Sequence, residues 1–176
     1  MTELEFLAIK IVEKLQAKGL YLTTVESCTG GGIANTITNV VGASEVIAQA
    51  FVTYSNEAKI ALGVPARIID EHTVYSKETA AAMAWIAIAE AVKADLVIAV
   101  TGSLSRVDPA NAESSQPGVI YIAVASADDR IKVEELRLGE EPSLSDDNLL
   151  ENMFRRRELA KKLIIVKSLQ MLVDFL

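Results

Sequence analysis

A junction between a strand-like run and three glycines limits the fold of this chain more than any other sequence feature. Residues 21–25 are mostly apolar and of strand length, and the sequence ESCTGGG at 26–32 follows at once. Apolar residues at helical spacing then occupy 33–40. Consecutive glycines allow a sharp turn and close approach to a ligand, and a helix start favours bound anions. The junction predicts a strand–turn–helix unit with Ser27, Cys28 and Thr29 at the turn. The structural alternative is an ordinary turn in which Ser27 or Thr29 caps the helix.

Strand-like and helical segments alternate along the rest of the chain. Helical patterns cover 2–18, 56–62 and 77–92, and a further short helix opens at Pro65. Strand patterns cover 46–54, 95–101, 118–125 and 131–138, and the last two predict a hairpin. Residues 102–116 and 139–147 predict loops, and 148–176 predict two helices or one broken helix. This order predicts an α/β fold in a single domain over 1–176, a three-layer α/β/α arrangement with a mixed sheet.

Composition narrows the classes of partner. The 176 residues are 51% hydrophobic, which supports a substantial core, and the net charge of −7 disfavours general binding to nucleic acid or to anionic membranes. A local pocket can still bind a small anionic ligand. The single cysteine, Cys28, allows no internal disulfide. We find no signal-peptide pattern and no apolar run of membrane-spanning length, so we expect a cytoplasmic protein.

The turn offers two candidate nucleophiles, and each needs a partner. Ser27 requires a base, and the only histidine, His72, is the one residue that could complete a Ser–His–Asp triad. A surface role suits His72 better. A buried lysine is an alternative base, and Lys59 follows a predicted strand end, although spacing alone favours a solvated helix lysine. Cys28 is the rival nucleophile, but a lone cysteine after a strand is more often a small core residue.

Other chemistries lack their sequence patterns. No His/Cys cluster has the spacing of a zinc site, so we expect no metal. Neither a phosphate-binding P-loop nor a glycine-rich dinucleotide fingerprint is present. Three consecutive arginines occur at 155–157, and they predict either a solvated helix face or a contact to an anion.

Two motifs together resemble a known family. The sequence ESCTGG at 26–31 and the sequence VTYSNEAK at 52–59 are similar to those of the C-terminal domain of the competence/damage-inducible protein CinA. That family includes stand-alone nicotinamide-nucleotide amidases. The resemblance implies one α/β/α domain that hydrolyses nicotinamide mononucleotide to nicotinate mononucleotide and ammonia. It also implies no cofactor and no metal, a small-molecule partner, and a homo-oligomer.

The resemblance also implies roles for individual residues. Ser27 matches the family's nucleophile, Lys59 would accept and return the proton, and Tyr54 would orient or relay it. Further matched positions imply contacts to the substrate or the oxyanion, and these are Thr29, Gly30, Gly31, Thr101, Gly102 and Arg156. The last of these is the best match to a substrate-binding arginine near the start of the family's final helix.

One loop departs from the family pattern. Members carry Gly-x-Ala-Gly-Pro-x-Gly-Gly after the strand that corresponds to 95–101, whereas this chain reads GSLSRVDP at 102–109. Side chains in place of glycines would narrow or reshape the pocket. An acidic insertion at 140–147 is a second departure. The altered loop motivates one alternative, a non-catalytic relative that binds a nucleotide or a protein partner. A further alternative is a serine hydrolase for an unrelated amide or ester.

Overall fold

A computed structural model describes residues 1–109, 112–139 and 149–176, and its centre is a five-stranded mixed sheet. The strands in chain order are β1 (Leu22–Glu26), β2 (Ile47–Val52), β3 (Leu96–Gly102), β4 (Val119–Ser126) and β5 (Ile131–Arg137). Their order across the sheet is β2-β1-β3-β4-β5. β1 runs parallel to β2 and β3, and β4 runs antiparallel to both β3 and β5. The predicted hairpin is therefore present at one edge of the sheet.

Six α-helices of the described residues cover the sheet. They are α1 (Glu3–Lys18), α2 (Gly32–Thr38), α3 (Asn56–Leu62), α4 (Ala66–His72), α5 (Lys77–Glu90) and α6 (Leu149–Phe175). Local sequence explains several of their ends. Ser55 and Ser76 accept hydrogen bonds from the first turns of α3 and α5, and Gly19 ends α1 in the left-handed conformation.

The two faces of the sheet bury two separate apolar clusters. Leu96, Ile98 and Val100 of β3 point to the cluster formed with α1, α2 and α6. The alternate residues Val97 and Ala99 point to the opposite cluster, formed largely with α4 and α5. Because side chains alternate along a strand, a continuous apolar run such as β3 supplies both faces. The predicted three-layer α/β/α fold with a mixed sheet is confirmed.

The C-terminal region differs from its prediction. The structure has one helix of 27 residues, α6, where the sequence pattern predicted two helices or a broken one. The segment contains neither glycine nor proline, so no residue interrupts the backbone ladder. The predicted acidic insertion at 140–147 lies outside the described residues. Across the ranges that the structure does describe, no helix is both long enough and apolar enough to cross a membrane.

Candidate active site

The carboxyl ends of the three parallel strands bring the predicted site residues to one edge of the sheet. Glu26, the last residue of β1, pairs with Val52 of β2 and Val100 of β3. Ser27 comes next, and its N–H donates to the Val100 carbonyl at 3.1 Å. Ligand sites of open α/β sheets commonly lie beyond the carboxyl ends of such strands. The backbone thus fixes Ser27 at the edge where the ends of β2 and β3 also meet.

A buried carboxylate holds the turn after β1. Glu26 is fully buried and accepts from the hydroxyl groups of Thr24, at 3.2 Å, and Thr29, at 2.7 Å. It also accepts from the backbone N–H groups of Ile33, at 3.0 Å, and Ala34, at 2.9 Å. The first turn of α2 therefore binds an internal carboxylate. The expectation that this helix start serves a bound anion is wrong, because Glu26 occupies it.

Lys59 reaches Ser27 from α3, the helix that follows β2. Its side chain is only 2% exposed, and its Nζ lies 3.1 Å from Ser27 Oγ and 2.9 Å from the Thr53 carbonyl oxygen. Burial lowers the pKa of Lys59 from its ordinary value of 10.5 to about 8. Spacing alone favoured a solvated lysine, and that reading is wrong. α3 begins directly beyond β2 and turns this residue inward, over the end of β1.

Cys28 borders the same cavity, but its side chain is buried and packs into the core. Its side chain joins the apolar cluster beneath α1, α2 and α6. Burial raises the pKa of the Cys28 thiol to about 12, so the thiol stays protonated near neutral pH. A protonated, buried thiol is a poor nucleophile. The environment of the two neighbours thus favours Ser27 for nucleophilic chemistry.

A cavity of about 400 Å³ opens over Ser27 and Lys59. Tyr54 stands at its rim, 62% exposed, and its hydroxyl accepts from Arg157 Nη2 at 3.3 Å. Arg157 Nη1 donates to Ser105 Oγ at 3.1 Å. The structure therefore places Tyr54 with Arg157, at the mouth of the cavity above the serine–lysine pair.

Two neighbouring arginines of α6 line different cavities. Arg157 lines the cavity over Ser27, whereas Arg156 lines a separate one beside Leu104, Gly118 and Leu138. Successive residues on a helix point about 100° apart, so a one-residue difference in alignment changes the cavity that a side chain faces. Of these two arginines, Arg157 and not the expected Arg156 lines the cavity over Ser27, and the substrate contact of Arg156 stays a prediction.

The remaining expected ligand contacts divide into two groups. Thr101 and Gly102 line the cavity, and the Thr101 hydroxyl donates to the Val74 carbonyl at 2.7 Å. Thr29, Gly30 and Gly31 shape the turn behind Ser27. The Thr29 hydroxyl donates to Glu26, and the Gly30 N–H donates to the Ser27 carbonyl at 3.0 Å. Both glycines adopt positive φ, +65° and +90°.

Two wall residues carried no signal in the sequence. Tyr75, in the turn before α5, donates its hydroxyl proton to Asp108 Oδ2 at 3.0 Å, and both line the cavity. Burial is the largest cause of the raised pKa of Tyr75, about 12, and Asp108 adds to it. No motif or spacing connects the two residues, which are 33 positions apart. Only the fold shows their proximity.

The histidine alternative finds no support in the geometry. His72 ends α4, and its Nε2 lies 3.8 Å from Glu71 Oε2, while the described cavity wall over Ser27 contains no histidine. Within the part of the chain that the structure describes, no group of three His, Cys, Asp or Glu residues could hold a metal ion.

Fold and site define a three-layer α/β/α protein with a buried serine–lysine pair at the carboxyl edge of its sheet. The family model of the CinA C-terminal domain matches residues 4–155, and the chain belongs to this family.

Similar proteins carry two kinds of description. A putative competence-damage inducible protein of Caldicellulosiruptor bescii is 38% identical over 148 residues, which are 80% of this chain and 35% of that protein. The chain therefore spans about a third of that relative's length. The nicotinamide-nucleotide amidohydrolase PncC of Escherichia coli is 35% identical over 127 residues, 72% of this chain and 75% of that protein. Competence/damage inducible protein CihA from Agrobacterium tumefaciens has a similar structure, with a TM-score of 0.81 and 29% identity over 99% of this chain and 96% of that one.

Proposed function

We propose that this protein hydrolyses the carboxamide of nicotinamide mononucleotide, giving nicotinate mononucleotide and ammonia. One observation carries the proposal: Lys59 Nζ lies 3.1 Å from Ser27 Oγ in a buried site, and the pKa of the lysine is lowered to about 8. The amidohydrolase relative from Escherichia coli supports the choice of substrate class.

Ser27 attacks the amide carbon in the proposed reaction, and neutral Lys59 takes the hydroxyl proton. The resulting ammonium of Lys59 lies beside the developing oxyanion and offsets its charge. Collapse of the tetrahedral intermediate breaks the C–N bond, and Lys59 returns the proton to the departing ammonia. Water then attacks the acyl ester, with Lys59 again as base, and the nicotinate nucleotide leaves as Ser27 is restored.

Arg157 and Tyr54 have a different role in this scheme. They stand at the mouth of the cavity, where a guanidinium group with two donors suits a phosphate. In this proposal Tyr54 is a rim residue that orients Arg157 and the substrate, whereas the family resemblance implied that it orients or relays the proton.

Ammonia release from nicotinamide mononucleotide tests the proposal. Ser27→Ala is expected to abolish release, and Lys59→Met to reduce it by at least about a hundredfold. Cys28→Ala, which changes the adjacent residue, is expected to retain most activity, because the thiol is buried and protonated. Loss of activity in Cys28→Ala, with Ser27→Ala active, would exchange the two roles. Binding of the nucleotide without ammonia release would favour the non-catalytic alternative.

The pH profile tests the base. Only the neutral amine can accept the serine proton, so kcat/KM is expected to rise with pH and to level off above about pH 8, the pKa of Lys59. A profile that stays flat between pH 6 and pH 9, with the chemical step limiting, would contradict the assignment.

A further inference from the structure

The loop that departs from the family pattern forms an ordered wall of the cavity. Ser103 N–H donates to the Val119 carbonyl at 3.1 Å, and Gly118 N–H donates to the Ser103 carbonyl at 2.8 Å. Ser103 Oγ also donates to the Arg106 carbonyl at 2.6 Å. These bonds tie the loop to the start of β4. The side chains that replace the family's glycines therefore occupy defined positions.

Asp108 is held on that wall from two sides. Its N–H donates to the buried Ser115 Oγ at 2.7 Å, and its Oδ2 accepts from Tyr75 at 3.0 Å. The backbone that carries Tyr75 is itself fixed, because Thr101 donates to the Val74 carbonyl. The position of Asp108 is thus set by the half-buried Tyr75 in the turn before α5 and by the buried Ser115 in the loop, which is the support that a specificity site requires.

The cavity carries charges of both signs. Asp108 and Arg106 line it from the loop, and Arg157 lines it from α6. A pyridinium nucleotide also carries both signs, a cationic ring next to the carboxamide and an anionic phosphate farther away. We propose that Asp108 is a specificity-determining residue that selects the positively charged pyridinium ring, while Arg157 faces the phosphate. This inference rests on the proposed function and names a determinant that the glycine-rich family loop lacks.

The physical basis is a charge–charge interaction in a partly desolvated cavity. A carboxylate about 5 Å from a cationic ring favours it by about tenfold in affinity at an effective dielectric constant of about 50, as for a cavity open to water on one side. A neutral ring of the same shape gains nothing from the charge. Asp108 should therefore discriminate between nicotinamide mononucleotide and its 1,4-dihydro form, which keeps the amide, ribose and phosphate but has an uncharged ring.

Calorimetric binding of these two nucleotides tests the inference, with Ser27→Ala present in every protein so that no turnover occurs. Asp108→Asn removes the charge and keeps an oxygen that can accept from Tyr75. It is expected to weaken the binding of nicotinamide mononucleotide by about tenfold and to change that of the dihydro form by less than about twofold. The matched control is Glu57→Gln, which neutralises another carboxylate of the same cavity.

Each possible result supports or overturns the inference about Asp108. Equal weakening of both nucleotides would show that Asp108 only shapes the loop, and no change for either would remove its role; both results overturn the inference. The inference would also be overturned if Glu57→Gln, and not Asp108→Asn, removed the preference for the cationic over the dihydro nucleotide. It would likewise be overturned if nicotinamide mononucleotide did not bind to the Ser27→Ala protein. Ammonia release by the protein with Ser27 intact is measured separately. Charge-selective binding without release would refute the proposed function and leave this inference standing.

Discussion

Replacing Lys59 by methionine separates the energetic cost of the buried amine from its chemical use. The side chain is 2% exposed, and burial lowers its pKa from 10.5 to about 8. The unfolded chain holds the lysine proton up to about pH 10.5, whereas the folded chain loses it near pH 8. Because the unfolded state binds more protons between these values, the stability of the wild-type protein should rise with pH across that window.

The lowered pKa of Lys59 sets the size of the expected change in the free energy of unfolding. Below pH 8 the folded protein bears the full cost of a buried ammonium, about 3 kcal/mol from the difference between 10.5 and about 8. At pH 10 most of this cost has been relieved, and about 1 kcal/mol remains. The free energy of unfolding of the wild type, relative to Lys59→Met, should therefore increase by roughly 2 kcal/mol between pH 7 and pH 10.

Urea unfolding followed by circular dichroism measures this difference. Both proteins are unfolded at several pH values, and subtraction removes the titration of all shared groups. Lys77→Met is the matched control, because Lys77 is exposed at the start of α5, and its difference from the wild type should stay constant over the same range. Parallel pH curves for the wild type and Lys59→Met would refute the reasoning, since they would show that folding does not perturb this amine.

Three further changes test other parts of the site. Glu26→Gln should destabilise the fold by about 2–5 kcal/mol in urea unfolding, because the NH₂ group of glutamine would face two hydrogen-bond donors in a buried position. Thr24→Val removes only one of the four hydrogen bonds to Glu26 and should destabilise the fold far less. Gly102→Ala should lower the thermal midpoint of unfolding, because Gly102 has φ +153° and an added Cβ would lie 2.6 Å from the Val119 carbonyl oxygen. An unchanged midpoint would contradict this. Arg157→Gln should raise KM for nicotinamide mononucleotide about tenfold or more with little effect on nicotinamide riboside, and Arg156→Gln should leave both nearly unchanged. The reverse pattern in steady-state kinetics would restore the family-based alignment.

The sequence predicted the fold where local patterns decide it. The apolar run of β3, the glycine turn before α2 and the hairpin of β4 and β5 each carry a signal within about twenty residues. The length of α6 was missed, because a helical pattern of this length predicted two helices or a broken one, and no glycine or proline makes that break. The types of the helices and strands could thus be predicted from the sequence, whereas the continuity of α6 could not.

The site was less predictable than the fold, because its parts come from separate elements. Lys59 meets Ser27 across 32 positions, which requires β2 to lie beside β1 and α3 to turn inward. Without the family resemblance, spacing favoured a solvated lysine. Arg156 and Arg157 are neighbours on one helix and their side chains point in different directions. A sequence alignment that is uncertain by one residue does not distinguish them. The position of Asp108 depends on a tertiary hydrogen bond.

The hydrogen bond between Lys59 and Ser27 can run in either direction, and that reversibility links the stability of the site to its chemistry. A charged ammonium has only donors, so it donates to Ser27 Oγ and to the Thr53 carbonyl. The neutral amine keeps a donor for Thr53 and offers its lone pair to the serine hydroxyl, across the same 3.1 Å separation. The burial that makes the ammonium costly therefore favours the form in which Ser27 is the donor. That form is the one from which the serine proton can leave, so the pH at which the stability of the fold begins to rise, about 8, should match the pH at which the hydrolysis reaches its plateau.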